Sequence, residues 1–289
     1  EEVVGDEDLF TKVSRALAGQ EPIARSGGGS AANTVFALSR MGYTTGFLGV
    51  TGKDEGSRFL LSSMEGVDVS HVKRYKKAGV CISLLADGER SLLAMPNSND
   101  LFSFIAEDIG YLNSSKFVHL SSFSSDSALL LQKQLLELLD EDIYISFAPG
   151  EKYARRGLRQ IEDMIGRSRI VFVNEREMGM LTGMGPEEGS RTLLDIGAKV
   201  VVCTMGHEGS LITTHNSSIR VPARKAVVVD TIGAGDVYAA GFLAGYLDGA
   251  TLEVCGRIGA SASALSVSSY GREAYPDEMF LRRFAKELD

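Results

Sequence analysis

The sequence has no tryptophan, only three cysteines and only four histidines among its 289 residues. Cys81, Cys203 and Cys255 are widely separated and odd in number, so we predict reduced thiols and a cytoplasmic protein. Neither the cysteines nor the histidines have the spacing of a zinc site. No apolar run approaches the roughly 20 residues of a membrane span, and residues 1–8 lack the basic-then-apolar order of a signal peptide. Disulfide-rich, zinc-bound and membrane-spanning classes are therefore disfavoured.

Positive charge is also scarce, because 30 Lys and Arg residues face 38 Asp and Glu residues, for a formal net charge of −8. A nucleic-acid binder would show a basic patch, so we expect no nucleic-acid partner. An anionic small ligand stays compatible with this charge if helix N-termini or a metal ion supply local positive potential.

Apolar and β-branched runs alternate with helical patterns along most of the chain, which predicts a parallel sheet with helices on both faces. The predicted strands are 45–50, 117–120, 143–147, 170–173 and 200–204. The predicted helices are 31–41, 54–65, 127–139, 151–165, 186–196, 236–247, 252–267 and 276–288. We therefore predict one domain over residues 1–289, a doubly wound, mostly parallel three-layer α/β/α fold.

Residues 68–97 interrupt this alternation with three short strand patterns at 72–75, 80–85 and 90–95. Asp87-Gly88 is typical of the hairpin turn that would join the last two strands. The segment predicts a small inserted antiparallel sheet that acts as a lid. An exposed edge of such a sheet can pair with a second chain, which predicts a homodimer through the lid.

The most distinctive segment is DTIGAGD, residues 230–236, between a predicted strand at 227–229 and a predicted helix. Its two glycines allow close approach of the backbone to a ligand. Unpaired N–H groups at the start of the helix would stabilise a phosphoryl group in transfer. Asp236 would stand beside that group and could accept a proton from a substrate hydroxyl. The competing interpretation is a tight turn with an Asp cap.

A second glycine cluster, GGGSAANT, occupies residues 27–34 before the first clear helix. Its backbone can pack against a flat polar ligand, and Asn33 can both donate and accept hydrogen bonds, as a pair of sugar hydroxyls requires. One alternative is a flexible loop with a buried Asn. Another is the dinucleotide pattern Gly27-x-Gly29-x-x-Ala32 of an NAD-dependent oxidoreductase, but the next strand lacks the expected terminal acid.

These two segments resemble the C-terminal and N-terminal signatures of the ribokinase/PfkB family of carbohydrate and nucleoside kinases. The resemblance implies a ribokinase-like fold and transfer of the γ-phosphate of ATP to a hydroxyl of a sugar or nucleoside. It implies that Asp236 is the catalytic base. The implied anion hole is Gly233, Ala234 and Gly235, and the implied acceptor-binding residues are Gly28, Gly29 and Asn33.

Two further segments resemble motifs of the same family. Asn174 and Glu177 match its N-x-x-E motif, which implies that Glu177 holds Mg²⁺ through water; a simple acidic helix N-terminus is the alternative. Residues 204–209 match its T-x-G-x-x-G nucleotide loop; a plain hairpin turn is the alternative. The implied nucleotide-binding residues are Asn174, Thr204, Gly206, Gly209 and Thr231. Asp230 and Ile232 would lie at a monovalent-cation site, with K⁺ as the expected ion.

The sequence departs from the family pattern at two places. Family members open with a β-strand whose Asp grips the acceptor, and no such strand is predicted before Gly27. Many relatives also carry an Asn near Ala260 that contacts the nucleotide. These departures leave a non-catalytic sugar- or nucleoside-binding protein of the same fold as the alternative function.

Overall fold

The computed structural model describes residues 2–86 and 89–286. Its helices are α1 (Glu7–Ala16), α2 (Ser30–Arg40), α3 (Glu55–Ser62), α4 (Ala106–Asn113), α5 (Asp126–Glu137), α6 (Gly150–Ala154), α7 (Glu162–Arg167), α8 (Glu175–Thr182), α9 (Pro186–Ile196), α10 (Ala234–Leu247), α11 (Leu252–Ser266) and α12 (Glu278–Lys286). Its strands are β1 (Glu2–Val4), β2 (Thr45–Gly46), β3 (Gly49–Thr51), β4 (Val67–Asp68), β5 (Val72–Arg74), β6 (Val80–Ala86), β7 (Glu89–Met95), β8 (Phe117–Ser121), β9 (Tyr144–Ala148), β10 (Ile170–Asn174), β11 (Val200–Thr204), β12 (Ser210–Thr213) and β13 (Ser218–Val221).

The main sheet has six strands in the order β13-β12-β11-β10-β9-β8. Strands β8 to β11 pair in parallel, and the β12–β13 hairpin continues the sheet in antiparallel fashion. The β-branched sequence of β11 is buried along Val200 to Cys203, as expected for a strand covered on both faces. The predicted parallel-rich α/β architecture is confirmed.

Alternate residues of the central strands enter two separate cores, because successive side chains of a strand point to opposite faces. Val171, Val173 and Val201 pack on the face covered by α5, α7, α8 and α9. Phe172 and Val202 pack on the face covered by α2, α10 and α11. Because β8 to β11 run parallel between these two layers of helices, their carboxyl ends lie at the same edge of the sheet.

A smaller three-stranded sheet has the order β1-β7-β6. β6 and β7 are antiparallel as predicted, while the Asp87-Gly88 turn lies outside the described residues. β5 instead pairs in parallel with β3, so the predicted strand at 72–75 is not part of the antiparallel unit. The apolar pair Val3-Val4 lies in β1, which pairs in parallel with β7 of the small sheet. In the main sheet, β8 is the edge strand opposite β13.

Several predicted elements have different boundaries in the structure. The strand predicted at 45–50 is two short strands in separate sheets, since β2 pairs with β4 and β3 pairs with β5. The helix predicted at 151–165 is two helices, α6 and α7, because Gly157 adopts a left-handed φ of 86° that ends helical geometry. The strand predicted at 227–229 pairs with no described strand, and its valines are 80%, 63% and 38% exposed. High β-propensity there did not suffice without a neighbouring sheet edge.

α10 and α11 pack with very little space between them. A side-chain carbon added at Gly241 would lie 2.9 Å from the Ala262 Cβ and 3.0 Å from the Gly259 Cα. Small residues are therefore required where the helices touch. None of the described helices is long and apolar enough to span a bilayer.

Candidate active site

Asp236 lies in the first turn of α10 and is held by two side chains from α2. Its Oδ1 accepts a hydrogen bond from the Ser30 hydroxyl at 2.5 Å, and its Oδ2 accepts one from Asn33 Nδ2 at 2.8 Å. The Thr34 hydroxyl donates to the Asp236 carbonyl at 3.3 Å. These contacts bridge about two hundred residues of sequence and fix the carboxylate between the two glycine clusters.

The turn before Asp236 has the geometry that its glycine predicts. Gly233 caps α10 with a left-handed φ of 77°, and a side-chain carbon there would meet the Tyr275 hydroxyl at 2.6 Å. The Ala234 N–H donates to the Thr231 carbonyl at 3.2 Å. The first N–H groups of a helix lack partners within it, so those of Gly235 and Asp236 can bind an anion.

The surroundings of Asp236 change its acidity. Burial raises the pKa of this carboxyl to about 6, although the hydrogen bonds from Ser30 and Asn33 and the positive charge of Arg272 oppose the rise. A pKa near 6 leaves the group ionised at neutral pH and makes it a stronger proton acceptor than an ordinary Asp.

Arg272 contacts the glycine cluster at residues 27–34 and is 7% exposed. Its Nε donates to Asn33 Oδ1 at 3.0 Å, and its Nη2 donates to the Gly28 carbonyl at 3.3 Å. The guanidinium carbon lies 4.9 Å from the centre of the Phe36 ring. Arg272 therefore connects the C-terminal segment to α2 and to the glycine cluster at residues 27–34.

Asn174 and Glu177 form a capping box at the start of α8. Asn174 Oδ1 accepts from the Glu177 N–H at 2.8 Å, and Glu177 Oε2 accepts from the Asn174 N–H at 3.0 Å. Burial raises the pKa of Glu177 to about 7, and the negative charges of Asp236 and Glu151 add to the rise. Glu177 and Asp236 are therefore close enough to interact electrically.

Thr204 ends β11 next to Asn174 of the parallel strand β10. The turn that follows has left-handed glycines at Gly206 and Gly209, with φ values of 56° and 95°. A side-chain carbon at Gly209 would lie 2.0 Å from the Val221 carbonyl oxygen, so no larger residue fits. This loop is a tight turn at the same sheet edge as Asn174.

Asp230 organises the turn that precedes α10. Its Oδ1 accepts from the Ile232 N–H at 2.9 Å, and its Oδ2 accepts from the Gly271 N–H at 3.4 Å. The carboxylate is buried, and it ties the DTIGAGD segment to the segment that carries Arg272.

One large cleft of about 2150 Å³ brings together most of the predicted site residues. Its lining includes Gly28, Gly29, Asn33, Asn174, Glu177, Thr204, Asp230, Ile232, Gly233, Gly235 and Asp236. The other predicted residues, Thr231, Ala234, Gly206 and Gly209, lie in the turns beside it. Sequence reasoning missed Ser30 and Arg272; Ser30 stood inside a recognised motif, but Arg272 carried no local signal.

A second pocket, of about 670 Å³, lies between α11 and the segment after β13. It is lined by Arg220, Val221, Pro222, Ala223, Arg224, Lys225, Glu253, Arg257 and Ala260. This basic lining contrasts with the acidic protein as a whole and can accommodate a ligand that carries negative charge.

The glycine pattern at residues 27–32 does not have the setting of a dinucleotide fingerprint. That fingerprint follows directly on a β-strand of the main sheet. Here Gly29 caps α2 with a φ of 96°, and the described residues between α1 and α2 contain no strand. The oxidoreductase alternative is therefore disfavoured.

Comparison with known proteins identifies the family of this chain. The family model for pfkB family carbohydrate kinases matches residues 5–278. The chain belongs to the pfkB family of carbohydrate kinases. An uncharacterised sugar kinase from Archaeoglobus fulgidus is 34% identical over 247 residues, which cover 83% of this chain and 98% of that relative.

A nucleoside kinase from Methanocaldococcus jannaschii is 28% identical over 253 residues, covering 84% of this pfkB-family chain and 80% of the relative. Arabidopsis thaliana ribokinase, solved with ribose and ATP, superposes with a TM-score of 0.80 at 22% identity, over 90% of this chain and 87% of that one. The predicted ribokinase-like fold is confirmed, and this pfkB-family member is a kinase of the sugar and nucleoside class.

Proposed function

We propose that this pfkB-family kinase transfers the γ-phosphate of ATP to a hydroxyl of a sugar or nucleoside, with Asp236 as the base. The observation that carries the proposal is the Asp236 carboxylate itself. It stands at the start of α10 and lines the large cleft. It accepts hydrogen bonds from Ser30 and Asn33 of the glycine cluster at residues 27–34.

Asp236 would take the proton of the acceptor hydroxyl as the oxygen bonds to phosphorus. Phosphoryl transfer is largely dissociative, so the hydroxyl loses its proton late and a carboxylate is a sufficient base. The turn of Gly233, Ala234 and Gly235 would provide the anion hole. Because the Ala234 N–H donates to the Thr231 carbonyl, the N–H groups of Gly235 and Asp236 would stabilise most of the charge on the transferred group. The positive end of the α10 dipole acts in the same direction.

The donor nucleotide is placed on the other side of the cleft. Asn174, Thr204 and the turn of Gly206 and Gly209 are proposed to border its phosphates, with Thr231 near the transferred group. The adenosine part of the nucleotide is proposed to lie in the basic second pocket beside Ala260, because the small side chain of Ala260 would leave room for a planar base.

Two ions are part of this proposal. No three acidic, His or Cys side chains cluster among the described residues. Mg²⁺ bound to a nucleotide keeps several waters and needs few protein ligands, so the half-buried Glu177 suits a water-mediated role. Mg²⁺ would supply charge neutralisation on the phosphates. For K⁺, the buried Asp230 and the Ile232 backbone offer the oxygen atoms that such an ion prefers.

The acceptor is proposed to bind against Gly28, Gly29 and Asn33. The A. fulgidus and M. jannaschii relatives are named as sugar and nucleoside kinases, and both substrate classes carry the paired hydroxyls that this loop suits. We favour an unphosphorylated sugar or a nucleoside.

The small sheet is proposed to act as a lid and as a dimer interface. Val80 and Leu85 of β6 are 42% and 46% exposed, and a sheet edge with such residues can pair with a second copy. Leu85→Lys should shift the protein from dimer to monomer in sedimentation velocity experiments. A wild-type protein that sediments as a monomer at micromolar concentration would contradict the dimer.

The decisive experiment measures ADP release with Mg·ATP and a panel of sugars, sugar phosphates and nucleosides. We expect release that depends on one acceptor class, with one phosphorylated product per ADP. Acceptor binding seen by calorimetry without ADP release on any acceptor would indicate the non-catalytic binder instead.

A further inference from the structure

Arg272 is a buried cation with a specific set of neutral hydrogen-bond partners. Besides Asn33 Oδ1 and the Gly28 carbonyl, its Nη1 contacts the Ser63 carbonyl at 3.5 Å and the Met64 sulfur at 3.2 Å. A guanidinium with an exposed fraction of 7% carries a large desolvation penalty. A solvated surface position would avoid that penalty, so the placement suggests a role at the site.

The contact between Arg272 and Asn33 determines the orientation of the Asn33 amide. A guanidinium has only donors and an ionised carboxylate has only acceptors. An amide between them must therefore turn its oxygen to Arg272 and its nitrogen to Asp236, as the structure has it. The second N–H of the amide and the second lone pair of its oxygen stay available to an acceptor hydroxyl.

Arg272 interacts electrostatically with Tyr275 and Asp236. Burial lowers the pKa of Arg272, while Tyr275 and then Asp236 raise it; in return, Arg272 opposes the burial-driven rise in the pKa of Asp236. The other titratable groups that interact with Asp236 are Glu177 on α8 and Tyr275, which also interacts with Asp230. Among these interacting side chains of Asp236, Glu177, Tyr275 and Arg272, the positive charge is that of Arg272.

We propose that Arg272 is a positioning residue that acts through Asn33, orienting the amide that holds the Asp236 carboxylate and that faces the acceptor. This inference rests on the proposed role of Asp236 as base. Loss of Arg272 would let the amide rotate, misplace the carboxylate and leave it without its nearby positive charge.

The test compares Arg272→Met with Arg169→Met. Methionine keeps the apolar length of the side chain beside Met64 but removes all donors and the charge. Arg169 is a matched control, since its Nε donates to the Tyr246 hydroxyl at 2.8 Å and its guanidinium lies 4.9 Å from the Tyr144 ring. It precedes β10, at the end of the strand opposite Asn174.

For Arg272→Met we expect kcat to fall about 10- to 100-fold, the range that misplacement of a catalytic group produces. The acidic limb of the pH profile of kcat/KM should lie at higher pH than in the wild type, where the Asp236 pKa of about 6 predicts it near pH 6. Arg272→Met should keep the wild-type KM for ATP. Arg169→Met should keep the wild-type kcat, KM and pH profile. A fall in kcat with an unmoved acidic limb would overturn the proposal, because a loosened fold alone gives that result.

A double-mutant cycle adds an independent criterion. At pH 8 the Asp236 carboxylate is ionised with or without the charge of Arg272, so kcat there reports its position. If Arg272 positions it through Asn33, then Asn33→Ala with Arg272→Met should lower kcat at pH 8 no further than Asn33→Ala alone. Additive losses would overturn the proposal.

NMR titration of the Asp236 carboxyl carbon in wild type and Arg272→Met requires no turnover. It therefore tests the interaction of Arg272 with Asp236 even if no acceptor is phosphorylated and the proposed function itself fails. An Asp236 pKa that is equal in both proteins would contradict the inference.

Discussion

The two sides of the cleft are built in different ways. Around Asp236, the hydrogen bonds join residues that are far apart in sequence, such as Asn33 with Asp236 and Arg272 with Asn33. On the proposed nucleotide side, the contacts are local, as in the capping box of Asn174 and Glu177. The carboxylate proposed as the base is therefore fixed by the tertiary fold, whereas the proposed nucleotide side is fixed by contacts between residues close in sequence. Substitutions on the first side should affect kcat, and those on the second should affect nucleotide binding.

The largest effect is expected for Asp236→Asn. The amide cannot accept the proton of the acceptor hydroxyl, so kcat should fall by about 10²- to 10⁴-fold, the usual contribution of a general base. ATP affinity, measured by calorimetry, should change little because the nucleotide contacts lie elsewhere. Turnover close to that of the wild type would remove Asp236 from the role of base.

Gly233→Ala should have the next largest effect. Alanine in a left-handed conformation costs about 1–2 kcal/mol, and its Cβ would also approach Asn33 Nδ2 to 3.2 Å and the Tyr275 hydroxyl to 2.6 Å. We expect a lower Tm and a kcat reduced at least about tenfold. Gly249→Ala is the control, since Gly249 has the same φ of 77° and no atom within 4 Å of an added carbon. Gly249→Ala should lower Tm without lowering kcat. Equal losses of kcat in both variants would contradict the idea that the added carbon at Gly233 disturbs Asn33 and Asp236.

Glu177→Gln tests the nucleotide side. Since the pKa of Glu177 is about 7, the wild-type carboxyl gains negative charge between pH 6 and pH 8, and the KM for Mg·ATP should fall over that range. The variant should show a KM raised severalfold at pH 8, with this pH dependence lost and kcat largely kept. A large loss of kcat with an unchanged KM would reverse the assignment of the two sides.

The smallest effect is on stability. The pKa values of Asp236 and Glu177 rise on folding from 3.8 to about 6 and from 4.5 to about 7, so the folded state holds protons that the unfolded state has lost. Their contribution to stability is present below pH 4 and disappears as pH rises through 6 and 7. Urea unfolding at pH 5 and pH 8 should show a smaller pH-dependent loss for Asp236→Asn and Glu177→Gln, by on the order of 1 kcal/mol each. Equal losses in wild type and variants would argue against both shifts.

The sequence allowed prediction of the elements that local patterns specify. The periodicity of residues 200–204 and 186–196 identified β11 and α9 with the bounds that the structure shows. Asp54, the first residue of the helix predicted at 54–65, is the N-cap of α3, and its carboxylate accepts from the Ser57 N–H. Motif spacing was also enough to identify most residues of the cleft, because glycine turns and helix starts carry their geometry in a few consecutive residues.

Other features depended on distant partners and could not be read from local sequence. Val227 to Val229 have strong β-propensity but meet no sheet edge, while the short Val3-Val4 segment does pair with β7. Arg272 resembled any other surface arginine until folding placed it beside Asn33, 239 positions away. Its contact partners, and not its neighbours in sequence, determine its role.

The close packing of α10 on α11 fixes the distance between two parts of the site. α10 carries the carboxylate, and α11 forms one wall of the basic pocket through Glu253, Arg257 and Ala260. At Gly241 and Gly259 the two backbones nearly touch, with no layer of flexible side chains that could absorb relative sliding. In the proposed binding mode, main-chain atoms would set the distance between the γ-phosphate and the base of a bound ATP. Changes of acceptor preference could then accumulate in the small sheet and the loops while this distance stays constant.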